Sequence, residues 1–209
     1  MKKIIIADDH TIVRKGLIQI LYDGIHDIKI TEVSNGNDLI KEVRANKFDI
    51  AISDLSMPGK NGMEALKQLK EEFPKLPVLI LSMHPEDQYA LRVIKAGASG
   101  YLTKDSAPDE MIKAVTQILN GRKYITASLA ERLAENIGID SQGALHETLS
   151  DREFDVMKLI ASGKTVSEIA DILSLGVTTI STYRARILEK MNMKTNAELT
   201  HYAIDNKLV

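Results

Sequence analysis

The sequence predicts an α/β domain, a five-stranded doubly wound parallel sheet, followed by a smaller all-α domain of four helices. Three observations carry that expectation. Between residues 1 and 120, short β-branched runs alternate five times with longer stretches of helical spacing, as a parallel sheet covered on both faces requires. Three of those runs, 4–7, 50–53 and 78–81, are apolar at consecutive positions, the mark of strands buried on both sides. Beyond residue 147 the strand signal stops, and helical segments follow one another.

Taken in order, the strands are expected at 4–7, 28–33, 50–53, 78–81 and 100–102, and the helices between them at 11–22, 37–46, 61–72, 86–96 and 107–120. Breakers agree with this division: Pro58-Gly59, Pro74, Pro77, Pro85, Gly97, Gly100 and Pro108 all fall between elements. After Gly121 the character changes. A helix is expected at 128–136, and the glycines and polar residues of G-I-D-S-Q-G-A-L-H-E-T, residues 138–148, mark 137–147 as the core of a flexible linker. Helices are then expected at 151–161, 166–173, 177–191 and 196–206. The first opens on a capping box, Ser150 with Glu153, and ends at Ser162-Gly163. The domains are thus 1–120, a connecting helix and linker over 121–147, and 148–209.

Bulk properties exclude several classes. The 209 residues carry a net charge of -2, so any attraction to nucleic acid must be local. Cysteine is absent, which removes disulfides, thiolate catalysis and Cys-type zinc sites, and fits a reducing cytoplasm. The opening M-K-K-I-I-I-A-D-D meets two acids too soon for a signal peptide, and no stretch reaches membrane-spanning length. A cytoplasmic protein without membrane contact is expected.

In a doubly wound sheet the chemistry lies outside the carboxyl ends of the strands. There the first strand runs into Asp8-Asp9, the third into Asp54, the fourth into Ser82 and the fifth into Thr103-Lys104. Three neighbouring carboxylates repel one another, and a hard divalent cation relieves them; oxygen ligands favour Mg²⁺ or Mn²⁺. A metal beside a carboxylate, a lysine and a hydroxyl is equipment for phosphoryl transfer onto an aspartate. Asp54 is the best nucleophile, because its strand ends in an open loop shaped by Pro58, Gly59 and Gly62. His10 and His84 flank the rim, and a hard-metal site does not need them.

Asp8-Asp9, D-L-S-M-P-G-K-N-G from Asp54, Ser82 after V-L-I-L, and G-Y-L-T-K together resemble the receiver domain of bacterial response regulators across 1–120. The resemblance implies a flavodoxin-like fold and phosphorylation of Asp54 by a sensor histidine kinase. It implies Mg²⁺ held by Asp9, Asp54 and the backbone carbonyl of Ser56, with Asp8 helping through water. Lys104 would pair with the phosphoryl group, Ser82 would hydrogen-bond it, and Tyr101 would swing inward as the switch aromatic.

In the second domain, Ile169, Ala170, Leu173, Val177, Ile180 and Ile187 fit two short helices packed across a turn containing Gly176, a helix-turn-helix. Residues 149–209 hold eight basic and eight acidic side chains, yet 177–195 set Arg184, Arg186, Lys190 and Lys194 against Glu189 alone. Charge focused on one helix suits a groove-reading element. Helical spacing puts Thr178, Ser181, Thr182 and Ala185 on one exposed face. An ordinary helical hairpin with a solvated basic helix would share this pattern.

Residues 148–209 further resemble the LuxR-type helix-turn-helix of the NarL/FixJ response regulators, through L-S-D-R-E-F-D-V-M-K-L-I-A-S-G, S-E-I-A-D-I-L, V-T-T-I-S-T-Y-R-A-R-I-L-E-K-M and K-T-N-A-E-L-T. That resemblance implies DNA contacts from Thr178, Thr179, Ser181, Thr182, Tyr183, Arg184, Arg186 and Lys190. Three positions depart from the family: Thr178 stands where Lys is frequent, Tyr183 where His is frequent, and Gly176 where a polar turn residue is commoner.

The expectation is a phosphorylation-controlled transcription regulator, not an enzyme beyond accepting its own phosphoryl group and slowly losing it. Phosphate on Asp54 would shift Ser82 and Tyr101 and repack 86–96, 100–103 and 107–120. The DNA-binding domains would then be released or paired, as a homodimer on promoter DNA. Two rivals fit less well. A haloacid dehalogenase-type hydrolase needs a second Asp where Ser56 stands, and a small-molecule-sensing LuxR-type regulator needs more than 4% aromatic residues.

Overall fold

Consecutive apolar residues can be buried on both faces only in an interior strand, and the observed sheet uses them so. The computed structural model describes residues 1–135 and 144–209, and the chain divides into two compact units, Met1–Gly138 and Ile139–Val209. In the first, β1 (Lys2–Ala7), α1 (Thr11–Gly24), β2 (Ile28–Val33), α2 (Gly36–Ala45), β3 (Ile50–Asp54), α3 (Gly62–Glu72), β4 (Val78–Ser82), α4 (Glu86–Lys95), β5 (Gly100–Thr103) and α5 (Pro108–Leu119) alternate as expected. All strands are parallel, in the order β2-β1-β3-β4-β5. The order reverses between β1 and β3, so the crevice for a ligand opens beyond the carboxyl ends of those two strands.

The pleat divides the core. Ile4, Ile6, Ile50, Ile52, Leu79, Leu81 and Leu102 form one cluster with Leu17 and Leu21 of α1 and with Met111, Val115 and Ile118 of α5. Alternate residues Ile5, Ala51, Ile80 and Tyr101 are equally buried and point to the opposite face. Burying each large aliphatic side chain contributes roughly 1.5–3 kcal/mol, which fixes the register that brings the strand ends together. At the edge, no residue of β2 is fully buried; Lys29 and Glu32 are exposed and the others half-buried, so no continuous apolar run is needed.

Strand ends shift from those expected: β1 begins two residues earlier, at Lys2, and β5 runs one residue further, to Thr103. Strands β3 and β4 each run one residue further than their apolar runs and end on Asp54 and Ser82, whose backbones continue the ladder opposite Leu81 and Thr103. The chain after α5 also packs on this unit. Tyr124 bridges to Gly100 at the edge of β5, its N–H donating to the Ser99 carbonyl at 2.8 Å, and its hydroxyl reaches Glu110 of α5 at 2.6 Å. Helix α6 (Ala127–Glu135) then packs on α4, with Leu129 buried. The expected helix end at Asn136 lies outside the described residues, as does linker 137–143.

In the second unit, residues 145–147 depart from the linker expectation. Leu145–Thr148 is a 3₁₀ turn in which His146 is held by distant side chains: its Nδ1 is 2.9 Å from the Tyr202 hydroxyl, and its ring lies 5.8 Å from that of Phe154. Helices α7 (Asp151–Ala161), α8 (Val166–Leu173), α9 (Val177–Lys190) and α10 (Asn196–Asp205) follow. Capping boxes at Ser150–Glu153 and Thr165–Glu168 start α7 and α8. Phe154, Met157, Ile160, Ile169, Ile180, Ile187 and Leu199 make the core. The residue that turns α8 into α9 is Ser174, in the left-handed region at φ 54°, with the Leu175 N–H closing back on the Ala170 carbonyl at 2.9 Å. Gly176 has ordinary extended dihedrals and acts as the α9 N-cap. Among the described residues, no helix is long and apolar enough to cross a membrane.

Candidate functional site

The switch point between β1 and β3 gathers acids from two strands around one lysine from a third. Asp8 and Asp54 are buried, and Lys104 Nζ lies 2.7 Å from Oδ2 of each. Those two oxygens, with Asp9 Oδ1, are shut off from solvent yet make no hydrogen bond among the described residues. The Lys104 ammonium stands at contact distance, and His10 Nδ1 lies 3.0 Å from Asp9 Oδ1. One ligand atom each from Asp8, Asp9, His10 and Asp54 lies within 4.8 Å of the others. Buried carboxylate oxygens short of donors are what a hard cation satisfies, so the donor set fits one.

Backbone groups aim the acids. The Ser56 N–H donates to Asp54 Oδ1 at 3.2 Å, and the His10 N–H donates to Asp8 Oδ1 at 2.7 Å. Burial raises the Asp54 carboxyl above its ordinary range, with Lys104 the main opposing influence and the charge of Asp8 adding to the rise. Burial would lower Lys104, but Asp54 and then Asp8 outweigh it and hold the ammonium charged. The loop behind the site depends on two glycines. Gly59 has φ +72°, and a Cβ on Gly62 would stand 2.0 Å from the Asp54 carbonyl oxygen.

Ser82 is fully buried beside this pocket, and its Oγ accepts the His84 N–H at 3.0 Å. Tyr101 already lies inside: it is buried, and its hydroxyl donates to the His84 carbonyl at 2.7 Å. Burial pushes its phenol up to about 12, with a hydrogen bond to Ser82 opposing. The β4–α4 turn is therefore gripped by both candidate switch residues. Sequence reasoning missed the next link, Thr126 of the post-α5 segment, whose hydroxyl donates to Glu86 at the start of α4 at 2.6 Å. No local pattern announces a pairing across forty residues.

On α9, Thr178, Thr179, Ser181, Thr182, Ala185, Arg186 and Lys190 are exposed, while Tyr183 and Arg184 are half-buried. The hydroxyls of Ser181 and Thr182 donate back to the Val177 and Thr178 carbonyls at 3.0 and 2.9 Å, leaving their lone pairs outward. Two of the basic side chains are engaged within the unit. Arg184 Nε donates to Asn196 Oδ1 at 2.6 Å, and Lys190 Nζ is 2.6 Å from Oε2 of the buried Glu153. Arg186 thus stands as an exposed cation on the helix, flanked by small polar residues whose backbone can approach a groove.

An acid-lined switch point gripped by a lysine, and a helix-turn-helix with an exposed small-residue face, define a two-domain regulator. Residues 4–116 match the response regulator receiver domain and residues 147–203 the bacterial regulatory proteins of the luxR family. The response regulator UvrY of Escherichia coli K12 is 36% identical over 210 residues, covering 100% of this chain and 96% of its own. The response regulator GacA of Pseudomonas aeruginosa is 33% identical over 211 residues, covering 100% and 98%. Among solved structures, RcsB from Salmonella enterica serovar Typhimurium, bound to promoter rprA in the presence of the phosphomimetic BeF3-, is similar with a TM-score of 0.64 and 29% identity, covering 97% of this chain and 98% of that one. The chain belongs to the NarL/FixJ family of two-component response regulators, DNA-binding transcription regulators that join a receiver to a LuxR-type helix-turn-helix.

Proposed function

We propose that a sensor histidine kinase transfers a phosphoryl group to Asp54 and that this phosphate controls the binding of promoter DNA. The observation that carries the reading is Lys104, buried between Asp8 and Asp54 at 2.7 Å from each, in a pocket where Asp8 Oδ2, Asp9 Oδ1 and Asp54 Oδ2 make no hydrogen bond among the described residues. Asp9, Asp54 and the Ser56 carbonyl would hold Mg²⁺ or Mn²⁺, with Asp8 assisting through water. When bound, the ion neutralises phosphoryl oxygens as charge builds on them. An Asp54 carboxylate oxygen attacks phosphorus; the O–P bond forms as the P–N bond to the donor imidazole breaks, and that electron pair stays on the imidazole nitrogen. Lys104 then leaves Asp54 for a phosphoryl oxygen, and the Ser82 hydroxyl donates to another.

Residues 1–120 receive the phosphoryl group, 121–147 connect, and 148–209 bind DNA. Ser82 and Tyr101 both hold the β4–α4 turn, so a phosphate that draws Ser82 moves the start of α4 and, through Glu86 and Thr126, the segment leading to α6. DNA is contacted by Thr178, Thr179, Ser181, Thr182, Tyr183, Arg184, Arg186 and Lys190. Arg184 and Lys190 exchange their internal partners for phosphate oxygens or contribute through the helix they brace. Phosphorylated chains act as homodimers in the cytoplasm, and chemistry is confined to self-phosphorylation and slow self-dephosphorylation. The test is incubation with acetyl phosphate and Mg²⁺, with intact mass read for wild type and Asp54→Asn. One phosphoryl group on the wild type alone is expected; equal labelling of the variant rejects Asp54.

A further inference from the structure

Arg14 stands behind the acidic pocket and is fastened to its backbone. The β1–β2 ladder runs out at Asp8, whose N–H reaches the Val33 carbonyl at only 3.3 Å. The Asp8 carbonyl is taken instead by Arg14 Nη1 at 2.6 Å, a charge-assisted bond. The same guanidinium donates through Nε to Glu32 Oε2 at 2.9 Å, and the Arg14 side chain is only 12% exposed. Glu32 sits in β2 opposite Ile6 of β1, and its other oxygen is held by Lys15 at 2.7 Å. The Arg14 backbone N–H also ties the His10 carbonyl at 3.0 Å, and the His10 N–H ties Asp8 Oδ1.

We infer that Arg14 is a positioning residue for the cation: clamped to Glu32, it fixes the plane of the Asp8–Asp9 peptide and so the direction in which Asp9 presents its carboxylate. The Asp8 carbonyl belongs to that peptide, so rotation of the plane would swing Asp9 away from Asp54. Glu32 offsets the guanidinium charge, which would otherwise oppose a cation nearby. A lysine cannot substitute fully, because an ammonium is a point charge and lacks the rigid fork that grips two acceptors at a set angle. The inference rests on the Mg²⁺ reading above.

Mg²⁺ titration of the full chain by calorimetry tests it, beside urea unfolding without metal and the Asp9 amide shift in the metal-free protein. Arg14→Gln is expected to weaken Mg²⁺ by about tenfold or more, as loss of an outer-shell partner does. Arg14→Lys and Glu32→Ala should fall between it and wild type and displace the Asp9 amide resonance. Lys15→Gln, which loosens Glu32 without touching Arg14, should keep wild-type affinity and an unmoved Asp9 amide. Wild-type Mg²⁺ affinity in Arg14→Lys and Glu32→Ala overturns the inference, and those two variants decide it if Arg14→Gln does not fold. A wild-type chain that binds no Mg²⁺ overturns the metal reading and this inference together; binding unchanged across the variants overturns this inference alone.

Discussion

Lys104 Nζ lies 2.7 Å from Asp54 Oδ2, and both side chains are almost wholly closed to solvent. The same ammonium is 2.7 Å from Asp8 Oδ2, so one cation serves two buried acids. Removing a member of a buried ionic group costs more than the group contributes, because the remaining charge is stranded.

Lys104→Ala is therefore expected to lower stability by about 3 kcal/mol in metal-free buffer. Saturating Mg²⁺ should restore part of that loss, since a cation relieves the same two carboxylates. Urea unfolding with and without Mg²⁺ reads both effects; equal loss in both conditions would count against a cation at Asp8 and Asp54.

Gly62→Ala strikes the loop behind the acceptor. Its Cβ would meet the Asp54 carbonyl oxygen at 2.0 Å and the Leu55 Cα at 2.8 Å, both backbone atoms that cannot step aside. A loss above about 2 kcal/mol and slower labelling from acetyl phosphate are expected. Gly176→Ser makes the opposite case. Its Cβ meets nothing nearer than Thr179 Oγ1 at 3.7 Å, and serine is a good N-cap, so thermal unfolding should show a gain of a few tenths of a kcal/mol, about 0.3.

Ser174→Gly should also stabilise. The left-handed backbone at φ 54° is strained for serine and free for glycine, which gives roughly 1 kcal/mol less the entropy that glycine adds to the unfolded chain. A destabilised Ser174→Gly would mean that the serine side chain matters more to the turn than its dihedrals.

Glu153 makes the second unit sensitive to acid. Burial works to raise its carboxyl, but the Lys190 ammonium and the Ser150 hydrogen bonds outweigh it and hold it below its ordinary 4.5. A depressed folded value means stability that is fully present above 4.5 and lost as pH falls through the lower folded value. Hydrogen exchange of α7 and α9 amides across that window should show early opening in wild type. Glu153→Gln should be weaker at neutral pH and flatter with acid. An acid response identical in the variant would place the sensitivity elsewhere.

The sheet was legible because Ile4–Ala7 of β1, Ile50–Ile52 of β3 and Val78–Leu81 of β4 are buried on both faces and apolar at consecutive positions, and because Pro and Gly mark the gaps. Asp54, Ser82 and Lys104 were legible because the parallel topology sends every strand's carboxyl end to one rim. What escaped depends on long-range partners. Leu145–Thr148 reads as loop by composition, and distant partners of His146, the Tyr202 hydroxyl and the Phe154 ring, help to hold it as a 3₁₀ turn. Gly176 lies in the turn by sequence, but the left-handed backbone there belongs to Ser174. Lys190 counts as groove charge in sequence; its 2.6 Å contact with Glu153, thirty-seven positions away, has no local signature. The bond from the Tyr101 hydroxyl to the His84 carbonyl, seventeen positions away, likewise has no local signature.

The central claim is that phosphate on Asp54 governs DNA occupancy. Genome-wide mapping of DNA binding by wild type beside Asp54→Asn, with the kinase system active, tests it most directly. Discrete sites occupied by wild type and lost or altered in the variant are predicted. Identical occupancy by both would contradict the account.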